Sequence, residues 1–391
     1  MKIGIYGGTF NPPHMGHVHA AAEASRVLGL DKLLVIPDNI PPHKDLPADT
    51  PTAAQRLAMA HLAFDGIPNA EISDMELCRT GKSYSVDTVR EVHARYPDAE
   101  LWLLMGSDML GIFHLWHEPE EIARLAKIGT FVRGDAGEQE MFDRMLPLLS
   151  HNFGAEIRFI PMEAFKVSST EIRASIAGGT AEELLPQAVL GYILREHLYG
   201  TKIDLTDLSP DALRPIALSY LKPRRMPHVL GTEETAVHLA QRYGADVRKA
   251  RIAALLHDCT KKLSVQEHME ICRQYGVVLD EMEQRKEKLL HAKTGAEIAK
   301  HVFGVSDDIY EAIKWHTTGK PDMSLLEKVI YIADYMEPTR HFPGVEKLRE
   351  TVFEDLDAGV AMGLQNTIDL MERNHEEVHR NTLDALCFLK G

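Results

Sequence analysis

The sequence predicts two domains in series, an α/β domain whose parallel sheet is flanked by helices and then an all-α domain. Three observations carry this. Short apolar runs alternate with amphipathic stretches from residue 1 to about residue 200, and after about residue 205 the strand signal disappears. The length, 391 residues, exceeds one ordinary core and suits two domains of roughly 150 to 200 residues each. Finally, 45% hydrophobic and 26% charged residues describe a folded globular chain and argue against disorder.

Taken in order, residues 2–6 and 32–37 (KLLVIP) are short buried-strand candidates, followed by 101–105 (LWLLM), 128–133 (IGTFVR) and 156–160. Between them, 17–28, 52–64 and 85–96 place apolar residues at helical spacing. Such alternation builds a parallel sheet that takes its ligands at the carboxyl ends of the strands. The polar, glycine-bearing stretch YGTKIDLTD at 199–207 is the expected junction, so the domains are expected at 1–202 and 207–391. Beyond it, 211–220, 233–243, 247–257, 265–275, 292–303, 307–316, 324–336 and 360–379 read as helices. No internal repeat or low-complexity segment interrupts them.

Lysine plus arginine number 43 against 58 aspartate plus glutamate, a formal net charge of −15. A broad electrostatic footprint for nucleic acid or an anionic membrane is therefore not expected, and the basic run KPRR at 222–225 stands alone. Small anionic substrates remain open to local basic groups, backbone amides or metal ions. Cys78, Cys259, Cys272 and Cys387 are scattered without a CxxC pair, so neither a zinc ribbon nor a disulfide framework is expected, and a reducing cytosol fits. The chain opens on strand-like MKIGIYG without a basic segment leading into an apolar one, and nowhere runs about 18 apolar residues without charge. A soluble, cytoplasmic protein is expected; the oligomeric state stays open, a homodimer being one option.

The chemistry of the first half starts at GGTFNPPHMGH, residues 7–17. Gly7 and Gly8 let the backbone approach a ligand closely, and a helix starting near His17 aims its unbonded amides and positive dipole end at the same place. Pro12 and Pro13 fix an extended path that presents His14 and His17 to phosphates, where imidazoles can hydrogen-bond to charge developing on phosphorus. A GG pair alone would be an ordinary strand-to-helix turn. The whole string, with Thr9 and Phe10, resembles the GGxFxPxHxGH signature of the nucleotidyltransferase superfamily, which has a Rossmann-like fold. VSSTEIR at 167–173 resembles that superfamily's SSTxIR element. There Ser168, Ser169 and Thr170 would cap a helix whose amides, with Arg173, hold the β and γ phosphates of ATP; an ordinary N-cap is compatible with that role.

Further strings are similar to nicotinate-nucleotide adenylyltransferases: IPPHK (40–44), KSYSVDT (82–88), GSDM (106–109) and LWHEPEEI (115–122). The resemblance implies transfer of the adenylyl group of ATP, accompanied by Mg²⁺, to nicotinate mononucleotide. It implies that Lys44 and Arg133 meet phosphate, that Gly106 and Asp108 receive a ribose, and that Trp116 stacks on the pyridine ring. The backbone of Ser83, Tyr84 and Ser85 would receive the pyridine carboxylate; Ser85 departs from the family's threonine, a change a backbone amide tolerates. Transfer to nicotinamide mononucleotide or phosphopantetheine is the rival within this class.

In the second half LLHDCTKK places His257 and Asp258 at the end of an apolar helix, a costly position for a carboxylate unless it is paired or metal-bound. His228 precedes this pair, His291 and His316 follow, and Asp334 lies inside VIYIADYM. Six nitrogen and oxygen donors without a thiolate suit iron or manganese better than structural zinc. The ordered set resembles the HD-domain phosphohydrolases, in which the first histidine, the HD pair and the last aspartate hold one ion. His291 and His316 would complete a dinuclear centre bridged by Asp258. PHVLGTEETA, HAKTGAEIA, HTTGKPDMSLLEK and YIADYMEPTRHFPGV are similar to the HD hydrolases that split diadenosine tetraphosphate symmetrically into two ADP. Lys261 and Arg340 would meet its phosphates. The alternatives are hydrolysis of other nucleotides, or a metal-bound regulatory module without turnover.

Overall fold

The computed structural model describes residues 1–42, 46–132, 137–162 and 168–391. They form two compact units, Met1–Lys202 and Ile203–Gly391.

The first unit begins β1 (Lys2–Gly8), α1 (Met15–Leu28), β2 (Lys32–Pro37), α2 (Ala53–Phe64), β3 (Ala70–Ile72) and α3 (Ser85–Arg95). It continues β4 (Glu100–Gly106), α4 (Ser107–Gly111), α5 (Pro119–Leu125), β5 (Lys127–Val132), α6 (Glu138–Phe153), β6 (Ile157–Pro161), α7 (Ser169–Ala177) and α8 (Gln187–Arg195). All six strands are parallel, in the order β3-β2-β1-β4-β5-β6. The chain steps outward from β1 to β3, then crosses back to β4 and steps out the other way. Loops leaving β1 and β4 therefore diverge, which opens a crevice at their carboxyl ends.

Successive strand residues bury on opposite faces, so KLLVIP reads as an unbroken apolar run. Leu33 and Val35 join Tyr6, Leu104 and Phe131 in one core, while Leu34 and Ile36 join Ile3, Ile5 and Leu103 in the other. Local signals set the helix ends: Gly29 closes α1 in the left-handed conformation (φ 62°), and a Thr52–Gln55 capping box opens α2. The three-residue β3 escapes a pattern reading because so short a segment has no period to show. Arg133, at the end of the expected fourth strand, lies outside the described residues.

The second unit is helical, and no strand is found among its described residues: α9 (Pro210–Ser219), α10 (Met226–Tyr243), α11 (Val247–Leu256), α12 (Val265–Tyr275), α13 (Glu281–Arg285) and α14 (Glu287–Phe303) come first. Then follow α15 (Asp307–Trp315), α16 (Leu325–Met336), α17 (Val345–Glu354), α18 (Leu356–Arg373) and α19 (Arg380–Lys390). Three expectations need correction. α14 starts at Glu287 rather than 292, because the charged Glu287 and Lys288 that open its first turn lie outside the apolar spacing. α10 starts at Met226 rather than 233, because Pro227 in its first turn needs no amide partner. The helix expected over 360–379 ends at Arg373, where the polar string NHEEVH breaks the apolar spacing; His375 is left-handed (φ 56°) and His379 caps the next helix.

Candidate active sites

A cavity of about 900 Å³ opens at the carboxyl ends of β1 and β4. Gly7, Gly8 and Thr9 form its floor, and the amino ends of three helices face it: α1 through His14 and His17, α3 through Ser83 and Ser85, α7 through Ser168 and Ser169. Gly106, Asp108 and Trp116 close the β4 side. Three helix amino ends face this space and offer amides to an anion, beside the carboxylates of Asp38, Glu76, Asp108 and Glu171; no lysine lines it among the described residues. Gly7 leaves open space where a Cβ would stand, so the backbone itself is the wall a ligand would meet. At Gly106 a Cβ would strike the Asp108 carboxylate, which folds back over the strand end.

The His14 and His17 rings lie 3.7 Å apart between centroids. His17 Nδ1 accepts the His14 backbone N–H at 3.3 Å, so in the neutral ring the proton sits on Nε2. Behind them, the loop after β1 is fixed by groups that sequence reading did not single out. Arg56 on α2, 2% exposed, donates to the Thr9 carbonyl at 2.8 Å, to Asp38 at 3.2 Å and to the Asn39 carbonyl at 3.2 Å. The Thr9 hydroxyl donates to Asp38 at 2.8 Å, and the Tyr199 hydroxyl to the Asn11 side chain at 2.7 Å. Arg56 betrays itself in sequence only as a charge inside the apolar turn QRLAMA.

Several expected binding residues stand off the cavity wall. Phe10 is 2% exposed and packs edge-on against Tyr6, Phe64 and His17, supporting the histidine from behind instead of facing a ligand; its apolar ring belongs to the core. The Tyr84 ring lies against His117, 4.6 Å between centroids. Arg173 donates to the Asn11 carbonyl at 2.9 Å and to the Thr170 hydroxyl at 3.0 Å, tying α7 to the β1 loop. Ser168 is the N-cap of α7, its hydroxyl accepting the Glu171 N–H at 3.2 Å, as capping chemistry predicts. Lys44 and Arg133 lie outside the described residues. Buried Glu76 lines the cavity unforeseen; burial pushes its carboxyl up, against hydrogen bonds from Thr88 and Ser83.

In the second unit, the six expected donors come together from α10, α14, α16 and the ends of α11 and α15. Asp258 lies between two pairs of histidines. Its Oδ2 is 3.5 Å from His257 Nε2 and 3.9 Å from His228 Nε2; its Oδ1 is 3.2 Å from His291 Nε2 and 3.9 Å from His316 Nε2. Asp334 Oδ1 is 2.9 Å from His228 Nε2 and 3.9 Å from His257 Nε2. His257 and His316 each give Nδ1–H to the carbonyl three residues back, Ala254 and Ile313, both at 2.6 Å. His228 Nδ1 bonds Glu337 at 2.9 Å, and Gly231, one turn on, leaves the room a Cβ would take from that carboxylate.

With Nδ1 of His228, His257 and His316 so engaged, their Nε2 atoms face the cage; His228 and His257 Nε2 lie 3.4 Å apart, and His291 and His316 Nε2 3.1 Å apart. Buried imidazole nitrogens and carboxylates converging in this way fit divalent metal ions. Burial pushes His257 down, and His291 and His316 to about 4, so the rings are neutral ligands at neutral pH. Burial would raise Asp258 and Asp334, yet the surrounding histidines hold both carboxyls well below their ordinary range. Cys259, next to Asp258, is no ligand: burial pushes its thiol to about 12 and it points to the Gly295 carbonyl. Lys261 reaches His291 Nε2 at 2.9 Å, and Arg340 reaches Asp334 at 2.7 Å.

Sheet, crevice and cage define a nucleotide-binding α/β unit and a helical metal-binding unit in one polypeptide. The Cytidylyltransferase-like family matches residues 5–175 and the HD domain, which implies a divalent-metal site, matches 225–339. A probable nicotinate-nucleotide adenylyltransferase of Listeria monocytogenes serovar 1/2a is 38% identical over 201 residues, 51% of this chain and 98% of its own. A symmetrical bis(5'-nucleosyl)-tetraphosphatase of Halalkalibacterium halodurans is 41% identical over 172 residues, 43% of this chain and 91% of its own. A crystal structure from Clostridium acetobutylicum, described as a predicted HD superfamily hydrolase involved in NAD metabolism, is 43% identical, covering 47% of this chain and 97% of its own at a TM-score of 0.45. The chain belongs to the nicotinate-nucleotide adenylyltransferase family in its first half and to the HD-domain symmetrical tetraphosphatase family in its second. No helix among the described residues is long and apolar enough to cross a membrane.

Proposed function

We propose that the chain is a bifunctional enzyme. The first unit transfers the adenylyl group of ATP to nicotinate mononucleotide, giving nicotinate adenine dinucleotide and pyrophosphate. The observation that carries this is the convergence of His14, His17 and three helix amino ends on one cavity beside β1 and β4. A phosphate oxygen of the mononucleotide forms the new bond to the α-phosphorus while the bond to the pyrophosphate oxygen breaks. Donation from His17 Nε2–H, beside His14, offsets charge building on the non-bridging oxygens, and no covalent enzyme intermediate is needed. The amides of α7, with Thr170 and Arg173, suit the β and γ phosphates, and Mg²⁺ accompanies ATP with few protein ligands. The α3 amino end suits the pyridine carboxylate, Trp116 the ring and Asp108 a ribose; Lys44 and Arg133 complete the phosphate contacts.

The second unit hydrolyses diadenosine tetraphosphate to two ADP, a reading supported by Asp258 facing one histidine pair with each oxygen. His228, His257, Asp258 and Asp334 would hold one ion, and Asp258, His291 and His316 a second, iron or manganese suiting the donors. Divalent ions held there would supply a nucleophilic hydroxide and polarise a phosphoryl oxygen. Asp258, Asp334 and Glu337 are matched in formal charge by Arg225, Lys261 and Arg340, so each divalent ion adds two positive charges that call for a highly anionic ligand. A polyphosphate chain meets that demand better than a monophosphate. Lys261 and Arg340 would receive it. Such substrates fit a cytoplasmic enzyme without nucleic-acid or membrane partners.

Pyrophosphate release from ATP with nicotinate mononucleotide, nicotinamide mononucleotide or phosphopantetheine as acceptor tests the first reading; equal rates would overturn it. Replacing His14 and His17 together by alanine is expected to lower kcat by about 100- to 1,000-fold and to leave hydrolysis intact. Metal analysis with a diadenosine tetraphosphate assay tests the second, and a bound ion without any phosphohydrolysis would establish a regulatory module instead.

A further inference from the structure

Glu76 stands between β3 and α3 on the wall of the first unit's cavity, 6% exposed. Two hydroxyls from the start of α3 donate to its carboxylate. Thr88 Oγ1, in the first turn of the helix, reaches Glu76 Oε1 at 2.5 Å, and the Ser83 hydroxyl, two residues before the helix, supplies the other bond. Ser83 Oγ already accepts the Asn39 N–H at 3.0 Å, and Thr88 Oγ1 accepts Arg79 at 2.9 Å, so each hydroxyl spends its single proton on the carboxylate. The network runs on into the loop after β2. Ser83 N–H donates to the Ile40 carbonyl at 2.9 Å, Asn39 Nδ2 donates to the Arg79 carbonyl at 3.1 Å, and Arg79 pairs with Glu91. Arg56 holds the same Asn39 by its carbonyl, so two buried charges of opposite sign secure that loop.

Ser83 and Tyr84 spend their N–H groups on the Ile40 and Lys82 carbonyls, so the amides left to an anion at this helix end begin with Ser85, on the cavity wall. Ser83 and Thr88 bracket that first turn, and both are fastened to Glu76. The aim of the amides therefore depends on a carboxylate whose own charge is met by hydroxyl protons. We propose that Glu76 is a positioning residue of the acceptor pocket, fixing the first turn of α3 so that its amides meet the pyridine carboxylate and favour it over the carboxamide. This deepens the adenylyltransferase reading given above and rests on it.

The test is steady-state pyrophosphate release by the full chain with ATP and either nicotinate or nicotinamide mononucleotide, for the parent, Glu76→Gln, Glu76→Asp and Thr88→Val. Glu76→Gln keeps the volume but sets an NH2 group against a hydroxyl that has only a proton to offer, and Thr88→Val removes one of the two hydroxyls. In Glu76→Gln the KM for nicotinate mononucleotide should rise about 10-fold, the worth of a hydrogen bond to a charged group, with the KM for ATP unchanged. Thr88→Val should move the same constant in the same direction, and Glu76→Asp, which keeps the acceptor oxygens, should recover part of the loss. Because the carboxamide leans less on the helix end, the preference for the nicotinate nucleotide in kcat/KM should shrink in Glu76→Gln and Thr88→Val. A rise shared equally by the KM for ATP would make Glu76 a prop for the whole cavity and overturn the inference. So would a lower KM for nicotinate mononucleotide, which would mean that the carboxylate repels the acceptor. A parent that uses both nucleotides equally would sink the adenylyltransferase reading and this inference together, whereas a selective parent matched by Glu76→Gln and Thr88→Val in every constant would sink the inference alone.

Discussion

Replacing Arg56 by methionine removes the guanidinium that the β1 loop is built around. The methionine keeps much of the volume but leaves the Thr9 and Asn39 carbonyls, and the Asp38 carboxylate at 14% exposure, without their donor. Removing one member of a buried ion pair costs about 3 to 5 kcal/mol, and the lost carbonyl bonds belong to the same sum. Against a typical domain stability of about 5 to 15 kcal/mol, the first unit stays folded with little to spare. At a urea slope of about 2 kcal/mol per molar, the midpoint for loss of adenylyl transfer falls by about 2 M. Even without urea, a loop free to drift by about 1 Å misplaces His14 and His17 and lowers kcat about 100-fold. The assay is pyrophosphate release along a urea series, with tetraphosphate hydrolysis in the same sample fixing the protein concentration. A midpoint within about 0.5 M of the parent, with kcat retained, would refute the claim that Arg56 sets the loop.

Glu337→Gln takes from His228 the carboxylate that orients its ring, so Mn²⁺ affinity is expected to fall about 10- to 100-fold by calorimetry while adenylyl transfer is untouched; unchanged affinity would remove Glu337 from the site. The pH dependence of the chelator-stripped protein has a definite sign. His257, His291 and His316 titrate below their ordinary value when folded, the last two at about 4, so between about pH 6.5 and pH 4 the unfolded chain binds more protons. Stability then falls as pH drops through that window, by up to about 1.4 kcal/mol per pH unit for each histidine. Asp258 and Asp334, held low, add to the fall near the acid end. Urea unfolding at pH 7, 6, 5 and 4 measures it, and a flat profile would mean the rings are not buried neutral.

What was legible in the sequence is what lies consecutively along it. GGTFNPPHMGH and SSTEIR are unbroken strings whose local geometry, a strand end and a helix start, does the chemical placing, and both border the cavity. The six cage donors, which come from five helical elements, were legible as an ordered set through its resemblance to the HD-domain pattern, whereas each histidine taken singly reads as an ordinary surface or interior residue. Arg56 pairs with a residue 18 positions earlier, and nothing in QRLAMA says which way its side chain turns. Glu337 follows Asp334 by three residues, yet its place behind His228 depends on α10 and α16 packing closely at Gly231. Phe10 sits inside a binding signature and still belongs to the core, since a conspicuous string does not say which of its side chains point inward. The helix expected to reach 379 failed because apolar spacing marks the face of a helix better than its end.

The two oxygens of Asp258 face different pairs of imidazoles, and the carboxylate is walled in at 1% exposure. A side chain so enclosed has little room to follow an incoming substrate, so the base of the pocket behaves as rigid masonry. Whatever adjustment a long, flexible phosphate chain demands must come from the long arms around the mouth, whose reach and rotamer freedom set how many phosphorus atoms can be threaded past the ions. Tuning the enzyme toward shorter or longer chains would therefore proceed by editing the arms and leaving the masonry alone.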